Sequence, residues 1–274
     1  MRFILFLLLT FFTSLLFAKE PKVLHFAPLP MYKSEIVIKQ YQGMLDYLSK
    51  ELDVAIKIVY HADYKDLLDA IERGDVDFAH LGPLPYASLL TRTTKPQVLV
   101  QFLNAQGESH YTCSLVTLEK NFAKCNKELF ANIALTQKLS TCGYFASKEM
   151  LQKYDLDLAK LNYHYSGTHS HVILELLVGD ASVGGVRTSE FLSYKHLGLK
   201  EIERSQSFPG FALIASSTLD PKIAQKISEL LTSADLLMMQ DWGSNVKYGA
   251  IKASSEDYLE IAKKLQNINL LELP

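Results

Sequence analysis

The sequence predicts an α/β protein of two lobes with a cleft between them, and three observations predict it. Strand and helix patterns alternate from residue 23 onward, the alternation restarts near residue 132, and no Gly/Ser-rich linker separates the two runs. Alternation of this kind calls for mostly parallel sheets with helices on both faces. Two such units without a flexible linker suit a chain that crosses between lobes in extended segments. The expected crossings lie near 107–111 and 205–210, so that 19–109 with 210–274 form one lobe and 110–209 the other.

The elements follow in order. Residues 23–27 (VLHFA) read as a first strand that ends at Pro28-Leu29-Pro30. From Ser34, the apolar positions Ile36, Tyr41, Met44, Leu45, Leu48 and Leu52 recur at helical spacing. The run 54–60 (VAIKIVY) is rich in β-branched residues and reads as a strand. Asp63 caps the next helix, which carries Leu67, Leu68 and Ile71 on one face and stops at Gly74. A strand over 76–81 leads to a turn or helix at Gly82-Pro83, then a strand over 98–102, a polar turn, and a strand over 111–118. In the second unit, strands at 132–136, 162–165 and 182–186 alternate with helices at 140–154, 169–178 and 188–194. A last strand over 210–216 precedes helices near 221–231 and 234–246 and an amphipathic stretch over 255–265.

The N-terminus points to export. Met1-Arg2 is followed by an apolar run from Phe3 to Phe17, and the small residue Ala18 precedes Lys19-Glu20-Pro21. That order is a signal peptide over 1–18 and a periplasmic mature protein; the competing reading is an uncleaved anchor, because Leu16 is large for its place before the cut. No cysteine follows to take a lipid, and no later stretch approaches the roughly 20 apolar residues of a membrane span. With 28 basic and 30 acidic residues, the chain has no nucleic-acid footprint and no polybasic membrane patch. No Cys/His spacing suggests a metal site, and no cofactor is expected. The three cysteines, Cys113, Cys125 and Cys142, leave at least one thiol unpaired or reserved for chemistry. Cys113 and Cys125 are close enough in sequence to close a small loop; if they pair, Cys142 is the free one.

The stretch Thr136-Gln137-Lys138-Leu139-Ser140-Thr141-Cys142-Gly143-Tyr144 is the most informative. A strand ends there, and small polar residues open a helix whose first N–H groups lack partners and carry partial positive charge. Hydroxyls add donors and Gly143 lets backbone approach a ligand, so the turn suits an anion. Ser140 as a plain helix cap is the alternative.

Four stretches resemble the periplasmic phosphate/phosphite/phosphonate-binding family of type II ABC-transporter solute-binding proteins. They are Gly74-Asp75-Val76-Asp77-Phe78-Ala79 with Gly82-Pro83, Ser140-Thr141-Cys142-Gly143-Tyr144, Tyr165-Ser166-Gly167-Thr168-His169, and Gly184-Gly185-Val186-Arg187-Thr188. The resemblance runs from about residue 22 to about 232. It implies the periplasmic-binding-protein type II fold, with a ligand cleft between the lobes. It also implies that Ser140, Thr141, the backbone around Cys142, and His169 hold the oxygens of a small oxyanion, with Tyr64 and Tyr111 beside them. Taken alone, His169 at a helix start caps as readily as it binds; His171 faces elsewhere, and Tyr86 belongs to the core.

Two departures from the family pattern, and the cation Arg187, bear on the ligand. Cys142 stands where the family has serine. It is either a replacement of similar size or a reactive thiol at a helix start, suited to a sulfur oxyanion or arsenite. Ser189 and Phe211 stand where relatives that bind an amine carry acids, which disfavours an amine-bearing ligand. Arg187 brings a cation to a strand end, where it grips an oxyanion through two oxygens or forms a salt bridge to Glu190 or Asp180. The expected function is capture of a small oxyanion for an ABC importer; the alternative is a ligand-sensing partner of a membrane sensor kinase. Catalysis by Cys142 and His169 has no third residue to complete it, so no enzyme is expected.

Overall fold

A computed structural model of the chain describes residues 22–30, 34–92, 94–122 and 127–265. The expected signal peptide and Cys125 lie outside the described residues. The chain begins with β1 (Val23–Ala27), α1 (Ser34–Leu52), β2 (Ala55–Ile58), α2 (Tyr64–Arg73), β3 (Phe78–Leu81), α3 (Pro83–Leu90) and β4 (Gln97–Phe102). It continues through β5 (His110–Tyr111), β6 (Cys113–Leu118), the single turn α4 (Glu119–Phe122) and β7 (Ile133–Leu135). A π-helical turn, Thr141–Ala146, runs directly into α5 (Ser147–Gln152), followed by β8 (Tyr163–Tyr165), α6 (His169–Val178), β9 (Val183–Arg187), α7 (Thr188–Tyr194) and β10 (Leu199–Arg204). The return passes through β11 (Phe208–Pro209), β12 (Ala212–Ala215), α8 (Pro221–Ser233), α9 (Leu236–Met239), β13 (Ala250–Ile251) and α10 (Leu259–Leu265).

These strands form two main sheets, in the orders β13-β4-β12-β3-β1-β2 and β10-β6-β9-β7-β8. Between them β5 and β11 pair antiparallel, Tyr111 opposite Phe208, so the two connections between the sheets run side by side. The sheets are mixed rather than mostly parallel. β1 lies parallel to β2 and β3, and β7 parallel to β8 and β9, but β12 runs antiparallel to both β3 and β4. The reason is the route: β12 re-enters the first sheet from the second one, not through a crossover helix that would force a parallel return.

Local chemistry explains the elements. Asp63 accepts the N–H of Asp66 at 2.9 Å and caps α2, and Gly74, at φ 79°, turns its own N–H back to the carbonyls of Ala70 and Ile71. The strand expected over 111–118 breaks at Thr112. There the chain changes sheets, and the Thr112 carbonyl and hydroxyl are taken by Thr188 instead. The helix expected over 234–246 lasts only from Leu236 to Met239, because the Gly243 N–H leaves for the Gln40 carbonyl at 3.1 Å. β10 was not expected; its sequence LKEIER carries four charged residues on a partly exposed edge.

One apolar core packs α1 and α8 on the first sheet, through Phe26, Tyr41, Met44, Leu48, Phe78, Leu213 and Ile227. A second runs without interruption from Leu81 and Tyr86 to Cys113, Leu135, Cys142 and Phe145. Tyr86 is wholly buried there, its ring edge-on to Tyr258. This second core joins the two sheets and forms the floor beneath the expected site. No helix among the described residues is long and apolar enough to cross a membrane.

Candidate ligand-binding cleft

β7 ends at Leu135, and the next nine residues turn back beneath the junction of the two sheets. Ser140 holds the extended backbone of a cap, and its Oγ accepts the Gly143 N–H at 3.0 Å. Capping consumes a lone pair and leaves the hydroxyl hydrogen free, so the cap and the anion cradle are compatible roles. Gly143 is required by close approach: a Cβ there would overlap Thr136 Oγ1 and stand 2.7 Å from the Thr136 backbone nitrogen. Thr141 faces the start of α3, where its Oγ1 accepts the Leu84 N–H at 3.0 Å. Two helical N-termini, one from each half of the molecule, therefore meet at this point.

Cys142 is not a thiol. It forms a disulfide with Cys113 across a Cα–Cα distance of 5.1 Å. The loop between Cys113 and Cys125, and with it the free thiol at Cys142, is overturned. The physical reason is topological: β6 is an interior strand of the second sheet, and its first residue lies within disulfide reach of the turn. The disulfide also organises the neighbouring wall. Cys113 sits opposite Arg187 in the β6–β9 ladder, and the Arg187 backbone N–H donates to His169 Nδ1 at 3.3 Å. The turn, the cation and the imidazole are thus tied to one another through β6 and β9.

His169 is the first residue of α6, and the cap is its neighbour Thr168, whose Oγ1 accepts the His171 N–H at 3.2 Å. Because Nδ1 of His169 accepts a hydrogen bond, the ring hydrogen resides on Nε2. Burial, and then the nearby Arg187 guanidinium, push its pKa down to about 3, so the ring is a neutral donor at ordinary pH. His171 is exposed, its Nδ1 3.2 Å from the Ser166 carbonyl.

Arg187 departs furthest from the expected alternatives. The salt bridge to Glu190 or Asp180 does not form; the arginine ion pairs among the described residues belong to Arg73, Arg92 and Arg204. Its guanidinium carbon instead lies 5.2 Å from the centre of the Tyr111 ring and 4.8 Å from that of Phe211, and Nε is buried with no hydrogen-bond partner. The two rings stack on each other at 5.8 Å. Quadrupole attraction holds the cation, but rings cannot satisfy its N–H donors. Tyr111 is partly buried, and loss of water around its phenol raises the pKa against the opposing pulls of Arg187 and a hydrogen bond with Thr141.

One cavity touches all seven expected residues: Tyr64, Tyr111, Ser140, Thr141, Cys142, His169 and Arg187. It leaves about 20 Å³ for the centre of a water-sized sphere, room for a compact polar group. None of its lining residues is acidic, and Ser189 is exposed outside it. Sequence reading missed Thr136, whose hydroxyl is buried at the cavity wall without a partner. It also missed the start of α3, where Gly82 and Pro85 line the same space, and it gave Phe211 no part beyond the absence of an acid. The only local signal for Thr136 was its position at the end of a strand before the turn.

A family model described as "ABC transporter, phosphonate, periplasmic substrate-binding protein" matches residues 26–258. The chain belongs to this family. Among solved structures, PhnD1 from Prochlorococcus marinus in complex with methylphosphonate shares 18% identity, with 91% of this chain and 100% of that one covered at a TM-score of 0.75. The binding-protein component PA3383 of a phosphonate transporter from Pseudomonas aeruginosa gives 16%, 91%, 90% and 0.75. XAC2383 from Xanthomonas citri bound to ATP gives 16%, 89%, 97% and 0.74. At these identities the structural matches speak for the fold. The family itself makes the chain a periplasmic phosphonate-binding-type protein of an ABC transporter, a solute binder that serves a membrane permease. None of these matches supports a sensor-kinase partner, and the disulfide removes the thiol on which a thiophilic ligand would depend.

Proposed function

We propose that the mature protein, freed of residues 1–18 by signal cleavage, captures a small phosphorus oxyanion in this cavity and delivers it to an ABC importer rather than acting as an enzyme. The two lobes, 19–109 with 210–274 and 110–209, close on the ligand by a hinge at the β5–β11 pair. Ser140 and Thr141 donate hydroxyl hydrogens, the turn around Cys142 offers backbone N–H groups, and His169 offers Nε2–H. Arg187 supplies the charge and a two-pronged grip, and Tyr64 and Tyr111 flank the ligand.

The observation that carries this reading is Arg187. A partly buried cation with a buried, unpartnered N–H and no carboxylate beside it is costly until an anion arrives. The test is calorimetry and thermal shift with phosphate, phosphite, methylphosphonate and sulfate on wild type and Arg187→Ala. A ligand at 100 times its Kd adds about 2.7 kcal/mol of stability. Arg187→Ala is expected to weaken binding about 100-fold, as for loss of charged hydrogen bonds, while the unliganded protein keeps or gains stability. Equal affinity in the variant, or no stabilisation by any of the four anions, would overturn the assignment.

A further inference from the structure

Beside the cavity lies a larger chamber of about 480 Å³. The two spaces share Tyr64, Thr136, Gln137, Leu139 and Gly167, so they adjoin along one wall. The opposite side of the cavity is closed by Arg187, Tyr111 and Phe211 packed against one another. A polar head in the small cavity can extend a substituent only toward the chamber, not toward the stacked rings. We propose that the chamber is a substituent subsite, and that the ligand is an organophosphonate or phosphate monoester with an uncharged, apolar or aromatic tail. The inference rests on the oxyanion reading of the inner cavity.

The chemistry of the chamber wall supports an uncharged tail. Tyr64, Leu139 and Tyr165 supply aromatic and aliphatic surface, and Ala62 leaves space at the rim. The charged groups at its edge each hold a contact within the chain. Lys65 is ion-paired with Asp69 at 2.7 Å, Lys138 has a partner of its own, and the Asp63 carboxylate caps α2. Burial of apolar surface against these side chains would bind a tail, and a half-buried phenyl ring is worth about tenfold in affinity.

The test is calorimetry with methylphosphonate, 2-phenylethylphosphonate and 2-aminoethylphosphonate, on wild type and on Ala62→Trp, which fills the chamber rim without touching the inner cavity. In wild type the phenylethyl compound is expected to bind about tenfold tighter than methylphosphonate, and the aminoethyl compound no tighter. Ala62→Trp is expected to abolish the phenylethyl advantage and to leave methylphosphonate unchanged. If methylphosphonate binds but the phenylethyl compound binds tenfold more weakly, the chamber is not a tail site. An advantage that survives Ala62→Trp overturns it too. If none of the three binds to wild type, the oxyanion reading fails and takes this inference with it.

Discussion

Replacing Cys113 and Cys142 together by alanine opens a loop that the disulfide closes across 29 residues. Alanine is the appropriate replacement because both positions are buried, 0% and 3% exposed, and a serine hydroxyl there would lack a partner. Treated as loop-closure entropy returned to the unfolded chain, the loss is about 3.6 kcal/mol at 25 °C. For a domain of this size that corresponds to a fall in Tm of roughly 7–14 °C. Urea denaturation of wild type, of wild type with reductant, and of the double variant measures it, with the last two expected to coincide. Thiol titration of the oxidised wild type in denaturant should return one group, Cys125. A double variant as stable as wild type, or three titratable thiols without reductant, would refute the pairing and with it the tie between the turn and β6.

Other consequences follow from the same geometry. His80 and His169 both have pKa values pushed down to about 3, first by burial and then by Arg187, so between pH 6.5 and 3 the unfolded chain binds more protons than the folded one. Stability is therefore complete above pH 6.5 and declines as pH falls, by up to about 1.4 kcal/mol per pH unit for each histidine; His169→Gln should make the Tm–pH slope shallower, and an unchanged slope would contradict the assignment. Gly143→Ala forces a methyl against the Thr136 backbone, so it should destabilise by about 1–3 kcal/mol, as overpacking does, and abolish ligand-induced thermal shifts. Thr136→Val removes a hydroxyl that has no partner. Unliganded stability should hold or rise, while affinity for the preferred anion falls roughly fivefold to tenfold by calorimetry.

Much of the fold was legible because its signals are local. The Asp63 cap and the Gly74 stop bracket α2 with side-chain and backbone chemistry that depends on few neighbours. The helical spacing from Ser34 to Leu52 likewise needs only its own apolar face. What escaped was set at a distance. LKEIER has no alternation of its own and becomes β10 because β6 offers it an edge. The direction of β12 follows from where the chain comes from, not from its residues. At the site, the turn and His169 were visible as helix starts and through family likeness. The Cys113–Cys142 pairing was not, because Cys125 is nearer in sequence and only the second sheet decides which sulfur lies within reach. The unpartnered Nε of Arg187 was hidden for the same reason: Glu190 and Asp180 are near in sequence, yet the guanidinium lies over two rings that come from the β5–β11 junction.

The proposed capture of an oxyanion would couple binding to closure through the same contacts. Besides Leu84 N–H to Thr141 Oγ1, the halves are joined by Gln137 Nε2 to the Pro30 carbonyl at 3.2 Å and by Lys264 to Glu149 at 2.6 Å. Each is polar and worth little net stability; the continuous apolar core from Leu81 and Tyr86 to Cys142 and Phe145 is the larger tie between the halves. Arg187 opposes them. Closing an empty cleft over an unneutralised guanidinium strips it of water without supplying a partner, which favours the open form. An oxyanion reverses that sign, since its charge is strongest in the water-poor closed cavity. On the proposed reading, the ligand's differential affinity for the two forms shifts the equilibrium, with Arg187 carrying much of that difference. A permease that accepts only the closed form would then be presented chiefly with loaded protein.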